Sequence, residues 1–98
     1  MTIDKKVNGA ELTLVLEGRM DTASSPLLEA ELKASLPGVT RLILDFSGLD
    51  YLSSAGLRVI LTAQKTMNRQ GSMVIRHVNE MIMEVFKITG FSTILTIE

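Results

Sequence analysis

The chain has 98 residues, ten of them basic and eleven acidic, and 46% of its residues are hydrophobic. This length predicts one domain with one core, and a net charge of -1 excludes a general attraction to nucleic acid or anionic membranes. The absence of cysteine excludes disulfides and thiol catalysis, and because no apolar run approaches about 18 residues and no signal peptide is recognisable, we expect a cytoplasmic protein without a membrane span.

The chain begins with two predicted strands. TIDKKV, residues 2–7, is the weaker one, and ELTLVLEG, residues 11–18, carries a leucine at every second position. Asn8-Gly9 stands between them and is a typical hairpin turn, so the two strands should be antiparallel.

A helix, a strand and a second helix are predicted next. SSPLLEAELKASLPG, residues 24–38, has leucines four residues apart and a Pro-Gly stop, which is typical of a helix and its end. RLILDF, residues 41–46, is almost continuously apolar, as in a parallel strand covered on both faces. The second helix should run from about Ser54 to Arg69 and end at Gly71.

The last third of the chain predicts a strand, a helix and a strand. SMVIRHV, residues 72–78, is the fourth strand, and a third helix should run from the N-cap Asn79 to Gly90. Within that helix we expect Met81 to pack inward and Met83 to be exposed. STILTI, residues 92–97, is predicted as a fifth strand.

The element order is therefore ββαβαβαβ, which predicts an α/β single domain over residues 1–98 with a mixed five-stranded sheet. Sites in such sheets lie at the carboxyl ends of the strands. The predicted loop SGLDYLSS, residues 47–54, is one such place.

Enzyme motifs are missing. There is no phosphate-binding loop, no G-x-G-x-x-G, and no G-x-S-x-G around either serine of LSSAG. His77 is the only histidine and the only candidate base, and we expect it to be structural or on the surface. Asp45 and Asp50 are too weak a pattern for a metal site. We expect no catalysis, no metal and no cofactor.

Two adjacent serines precede the second helix. Either Ser53 or Ser54 could be its N-cap, which explains only one hydroxyl. Ala55 and Gly56 then follow, although glycine costs about 0.5–1 kcal/mol relative to alanine in a helix. We expect these small residues to leave the helix entrance bare, so that another protein can come close. A serine hydroxyl over this end is a plausible phosphate acceptor.

The stretch LILDFSGLDYLSSAGLRVIL resembles the central signature of STAS domains, most closely that of bacterial anti-sigma factor antagonists. LEGRMD and ITGFSTIL resemble two further family segments, so the resemblance covers essentially the whole chain. It implies helices largely on one side of the sheet. It also implies that Ser54 is phosphorylated by an anti-sigma factor that is a serine kinase, that the unphosphorylated form binds this partner, and that a serine phosphatase reverses the switch.

The resemblance assigns further residues to the site. Asp21 matches the family's acidic residue near the phosphoserine loop, and Ser53 stands where the family often has Asp, which leaves Ser53 as a second possible acceptor. Leu57 and Arg58 complete the expected partner surface with Ala55 and Gly56. The basic stripe on this helix is either solvated or docks an acidic partner; its members are Arg58, Lys65 and Arg69.

Two rival functions remain open. The first is a binding subunit of another assembly on the same fold, such as a lipid-transport or stressosome-like complex. The second is an enzyme or a nucleotide-binding protein, which the absence of a phosphate-binding loop disfavours.

Overall fold

The computed structural model describes residues 1 to 98 and contains four strands and three α-helices. In chain order these are β1 (Thr2–Asn8), β2 (Glu11–Met20), α1 (Ser25–Ser35), β3 (Arg41–Leu52), α2 (Ser54–Gln70), β4 (Ser72–Arg76) and α3 (Glu80–Ile88), followed by a 3-10 turn at Phe91–Thr93. The strand order is β1-β2-β3-β4. β1 is antiparallel to β2, and the other two pairs are parallel, which confirms the predicted hairpin and crossovers.

One hydrophobic core lies between the sheet and the helices. The alternating leucines of β2 are almost completely buried and share one face with Leu42 and Leu44 of β3 and with Met73 and Ile75 of β4, whereas Ile43 and Val74 are buried on the other face. All three helices contribute to the same core cluster of 23 residues. The expected placement of the helices on one side of the sheet is therefore correct, and it follows from the two-residue period of β2.

The predicted fifth strand is wrong. After Gly90, the carbonyl of Phe91 accepts hydrogen bonds from the N–H groups of Ile94 (3.0 Å) and Leu95 (2.9 Å). Those N–H groups are then not available to a strand ladder. Only an isolated parallel bridge between Ile75 and Ile97 remains at the outer edge of β4.

The predicted loop at 47–54 is also largely wrong, because β3 continues to Leu52. The extra residues are absorbed in two register irregularities against β2, after which Glu17 pairs with Gly48 and Met20 pairs with Leu52. The long end of β3 thereby brings the end of β2 beside the start of α2.

Two smaller differences concern the last third of the chain. β4 ends at Arg76 because His77 has φ +60°, outside the strand conformation. In α3 the predicted orientations of two methionines are reversed: Met81 is 66% exposed and Met83 is half-buried. The inward positions are Ile82 and Phe86, four residues apart, and they turn Met81 away from the core.

Candidate functional site

The two serines at the start of α2 have different environments. Ser53 is the N-cap, with extended backbone, and its hydroxyl oxygen accepts a hydrogen bond from the backbone N–H of Gly56 at 3.2 Å. Ser54 is the first helical residue; its side chain is exposed and makes no hydrogen bond within the protein. The capping interpretation therefore holds for Ser53, and the hydroxyl of Ser54 is free.

The start of α2 rests on the end of β2. The backbone N–H of Ser53 donates to the carbonyl of Met20 at 2.9 Å. Behind it, Gly56 is buried, and a Cβ added there would lie 2.7 Å from Leu52 Cδ1 and 2.8 Å from Met20 Sδ. The expectation that Gly56 leaves a bare entrance for a partner is thus incorrect: the glycine permits close packing against the protein's own core.

Of the remaining residues expected in the partner surface, one is buried and two are accessible. Leu57 is only 8% exposed and belongs to the core cluster, so it does not contribute an accessible side chain. Ala55 is half-buried and Arg58 is exposed. These two residues line a shallow groove between the first turns of α1 and α2, together with Thr22, Ser25, Pro26, Glu29 and Val59.

Asp21 forms a compact turn with Ser24 between β2 and α1. The N–H of Ser24 donates to Asp21 Oδ1 at 2.8 Å, and the N–H of Asp21 donates to Ser24 Oγ at 2.9 Å. The hydrogen bonds from the backbone and side chain of Ser24 hold the pKa of Asp21 below its ordinary value. Asp21 directly follows Met20, so it lies near the start of α2. Its side chain hydrogen-bonds within its own turn and makes no hydrogen bond with Ser53 or Ser54.

Two contacts that the sequence did not predict fix the loop between β4 and α3 against β3. The Asn79 side chain caps α3 by accepting from the N–H of Ile82 at 2.8 Å, and its amide donates to the carbonyl of Leu49 at 3.1 Å. His77 Nδ1 lies 2.9 Å from Asp45 Oδ1. The sequence predicts Asn79 as a cap, but the hydrogen bond to Leu49 depends on a tertiary contact for which the sequence carries no local signal.

The Asp45 carboxylate illustrates two opposing effects on a pKa. Burial raises the pKa of Asp45, while hydrogen bonds from His77 and from the backbone N–H of Ser47 lower it, and the net pKa is below the ordinary value. Asp45 is therefore an acceptor in a structural network, in agreement with the expectation that His77 has a structural or surface position.

An aromatic ring and a cation also lie at the end of the β2–β3 pair. The guanidinium carbon of Arg19 is 4.2 Å from the centroid of the Tyr51 ring, which is a cation–π distance. These residues are register partners, and Tyr51 is 37% exposed. The sequence does not predict this pair, because the register irregularity that aligns the two residues is not visible in either strand alone.

The structure contains no cluster of three or more His, Asp or Glu side chains with the arrangement of a metal site. None of its helices combines the length and the apolar character needed to cross a bilayer.

Comparison with known proteins shows the class to which this chain belongs. The family model described as "Mlab, STAS domain" matches residues 3–96. The chain is 40% identical over 99 residues to the "Putative anti-sigma factor antagonist BtrV" of Bordetella bronchiseptica, covering 99% of this chain and 84% of that protein. It is 26% identical over 98 residues to the anti-sigma-B factor antagonist of Bacillus subtilis, covering 99% and 90%.

Solved structures agree with this class at the level of the fold. The anti-sigma factor antagonist SpoIIAA in its unphosphorylated form superimposes with a TM-score of 0.79 at 16% identity, covering 99% of this chain and 87% of that one. The Bacillus cell fate determinant SpoIIAA in the phosphorylated form gives 0.78 at 17% identity, covering 99% and 91%. The chain is a STAS domain. It belongs to the anti-sigma factor antagonist family within that class.

Proposed function

We propose that this protein is a phosphorylation-switched anti-sigma factor antagonist that acts in the cytoplasm. In its unphosphorylated form it binds an anti-sigma factor that is also a serine kinase. The kinase transfers the γ-phosphoryl group of ATP to Ser54 Oγ, with ADP as the leaving group and loss of the hydroxyl proton. The phosphorylated protein releases the kinase, and a serine phosphatase restores the hydroxyl.

The observation that carries this proposal is the difference between the two serines. The Ser53 hydroxyl is engaged as the N-cap, whereas the Ser54 hydroxyl is exposed and free. A kinase can reach Ser54 without breaking a hydrogen bond that holds the helix. The existence of unphosphorylated and phosphorylated structures of SpoIIAA, whose fold this chain shares, supports a switch of this kind.

A phosphate on Ser54 is compatible with the fold and unfavourable for a docked partner. It would add about -1.5 to -2 charges at a helix amino terminus, where backbone N–H groups and the helix dipole favour an anion. A partner placed over the same surface would have to desolvate that charge. A penalty of about 3 kcal/mol would weaken binding roughly a hundredfold.

The partner surface that we propose surrounds Ser54 and consists of exposed or half-exposed groups. Ala55 and Arg58 lie on the α1 side of it, along the groove. Asp21 belongs to the adjoining turn, where it shapes the approach to α2. Gly56 and Leu57 support this surface from inside.

The test has two parts. The protein is incubated with ATP and each anti-sigma factor kinase encoded in the same genome, and phosphate is located by peptide mass spectrometry. Binding of the kinase that reacts is then measured by calorimetry for the parent, Ser54→Ala and Ser54→Asp. We expect phosphate on Ser54, parent-like binding by Ser54→Ala and at least tenfold weaker binding by Ser54→Asp.

Ser72→Asp is the matched control. Ser72 is exposed and lies at the opposite end of the sheet, beside the first residue of β3, so the same charge there should leave binding unchanged. Phosphate on Ser53 alone, or equal binding by Ser54→Asp and the parent, would contradict the proposal.

The alternative role as a binding subunit of a lipid-transport or stressosome-like assembly is favoured by one observation, Ser53 at the position before the acceptor serine, where the family often has Asp. No phosphorylation of Ser54 by any of these kinases, together with co-purification of the protein with transporter or stressosome subunits from its own cells, would select that role.

A further inference from the structure

Arg58 is an exposed cation at the start of α2 that has no counter-ion. None of the six ion pairs in the structure includes it. The acidic residue across the groove, Glu29, is 3.9 Å from Lys33 in an ion pair within α1. The Arg58 guanidinium is therefore available to an anion that is not part of the unmodified protein.

Helix geometry places Arg58 within reach of Ser54. Residues four apart lie on the same face of a helix, and Ser54 and Arg58 are both exposed members of α2. Long side chains on a helix lean towards its amino terminus, so a guanidinium at position 58 can reach back over the turn that Ser54 begins. An anion placed four residues before a cation is also the more favourable order of the two.

The other charged groups around this turn do not replace Arg58. Arg19 stacks on the ring of Tyr51. Asp21 and Glu29 are anions and would repel a phosphate. The first-turn N–H groups of α2 that lack intrahelical acceptors can add hydrogen bonds to an anion, but they carry only partial charges.

We propose that Arg58 binds the phosphate of phosphorylated Ser54 within the same helix and thereby stabilises the phosphorylated form. This inference rests on the proposed function, because it takes Ser54 as the acceptor. The phosphorylated state then has an internal contact, between Arg58 and the phosphate, that the unphosphorylated state lacks. The modified surface then presents a partly neutralised, ordered phosphate in place of a free hydroxyl and a free guanidinium.

The test uses protein in which phosphoserine is incorporated at position 54 during translation, so that no kinase is needed. Phosphorus NMR then gives the second pKa of the phosphate. An adjacent cation favours the dianion, so we expect this pKa to be about half a unit higher in Arg58→Gln than in the parent. Arg58→Lys should recover part of the difference.

Arg69→Gln is the matched control. Arg69 is exposed on the same helix and lies about 22 Å from Ser54 along its axis, beyond a Debye length at physiological salt. Its removal should leave the phosphate pKa unchanged. A phosphate pKa that is the same in Arg58→Gln and the parent would overturn the proposal.

Thermal unfolding provides a second readout. Phosphoserine at position 54 should raise the melting temperature more in the parent than in Arg58→Gln. If Arg58→Gln leaves both phosphate readouts unchanged, the inference is wrong, and any weaker kinase binding by the unphosphorylated variant then reports only the place of Arg58 in the partner surface. Failure to find phosphate on Ser54 after kinase treatment refutes the proposed function and leaves these measurements intact, so the two failures are distinguishable.

Discussion

The carbonyl oxygen of Met20 accepts the backbone N–H of Ser53 at 2.9 Å, which joins the last residue of β2 directly to the N-cap of α2. Met20 also packs its side chain where a Cβ on Gly56 would have to lie. The candidate site is therefore supported by one strand end through both backbone and side chain. Changes at the core side of α2 should be measurable as changes in stability, and changes at Ser54 should not.

Gly56→Ala should lower stability. Alanine gains about 1 kcal/mol over glycine in a helix interior, but the new methyl group would stand 2.7 Å from Leu52 Cδ1 and 2.8 Å from Met20 Sδ. Both side chains are buried, and overpacking costs about 1–3 kcal/mol. We expect a net loss of about 1 kcal/mol in urea unfolding, or about 5 °C in melting temperature for a domain of this size.

The control for this prediction is the double variant Met20→Ala/Gly56→Ala. With the methionine side chain removed, the contacts with Met20 disappear and Leu52 can shift into the vacated space, so Gly56→Ala should cost less in the Met20→Ala background than in the parent. An increase in stability for Gly56→Ala in the parent background would show that the glycine is not there for packing.

Ser53→Ala and Ser54→Ala should differ in stability. The first removes the oxygen that caps Gly56 N–H and should cost about 1 kcal/mol. The second removes an exposed hydroxyl without a hydrogen bond and should change stability by less than about 0.5 kcal/mol. Urea unfolding of both variants at pH 7 checks this. A larger loss of stability in Ser54→Ala than in Ser53→Ala would show that Ser53 is not the cap.

Asp21→Asn should lower stability at neutral pH and not at acidic pH. Asparagine retains a side-chain oxygen for the Ser24 N–H but does not ionise. Because the pKa of Asp21 is lowered in the folded state, the charged form contributes stability above the unfolded-state pKa of about 3.9. That contribution is lost as the pH falls through the lower, folded-state pKa. Urea unfolding of parent and variant between pH 7 and pH 2.5 tests this, and a gap that does not narrow in acid would contradict it.

His77→Gly should be more stable than His77→Ala. Both variants lose the contact with Asp45, but only glycine adopts φ +60° without steric strain. The left-handed region costs a residue with a Cβ about 1 kcal/mol or more, so we expect a difference of about that size. The same pair of substitutions at Ser72, on the exposed start of β4, should show the reverse order. Equal stabilities at position 77 would show that the backbone relaxes after the histidine is lost.

The sequence predicts well where a local pattern determines the outcome. The leucine period of β2 places its core face, and Asn79 caps α3 because its short side chain reaches a nearby N–H. At α2 the sequence limits the cap to Ser53 or Ser54, and the structure selects Ser53. It predicts poorly where the outcome depends on a neighbour distant in the chain. From the sequence Gly56 is only a residue of low helix propensity, and its packing role depends on the close approach of Met20 and Leu52.

The same distinction between local and distant interactions explains the two errors in the predicted sheet. Residues 92–97 have the composition of a strand, but a tight turn uses the N–H groups of Thr93, Ile94 and Leu95. Residues 47–52 look like a loop, and they continue β3 because the long β2 offers them partners through two register irregularities. In each case a competition for backbone hydrogen bonds decides the outcome, and composition does not report which partner is within reach.

The free position of the Ser54 side chain has a consequence for how its modification could be detected. No hydrogen bond would be broken by a phosphate there, so the radius of gyration of 12.2 Å should be the same in both forms. The net charge, by contrast, would move from -1 to about -3. Scattering and circular dichroism would report two identical molecules, whereas native isoelectric focusing would separate them into two bands.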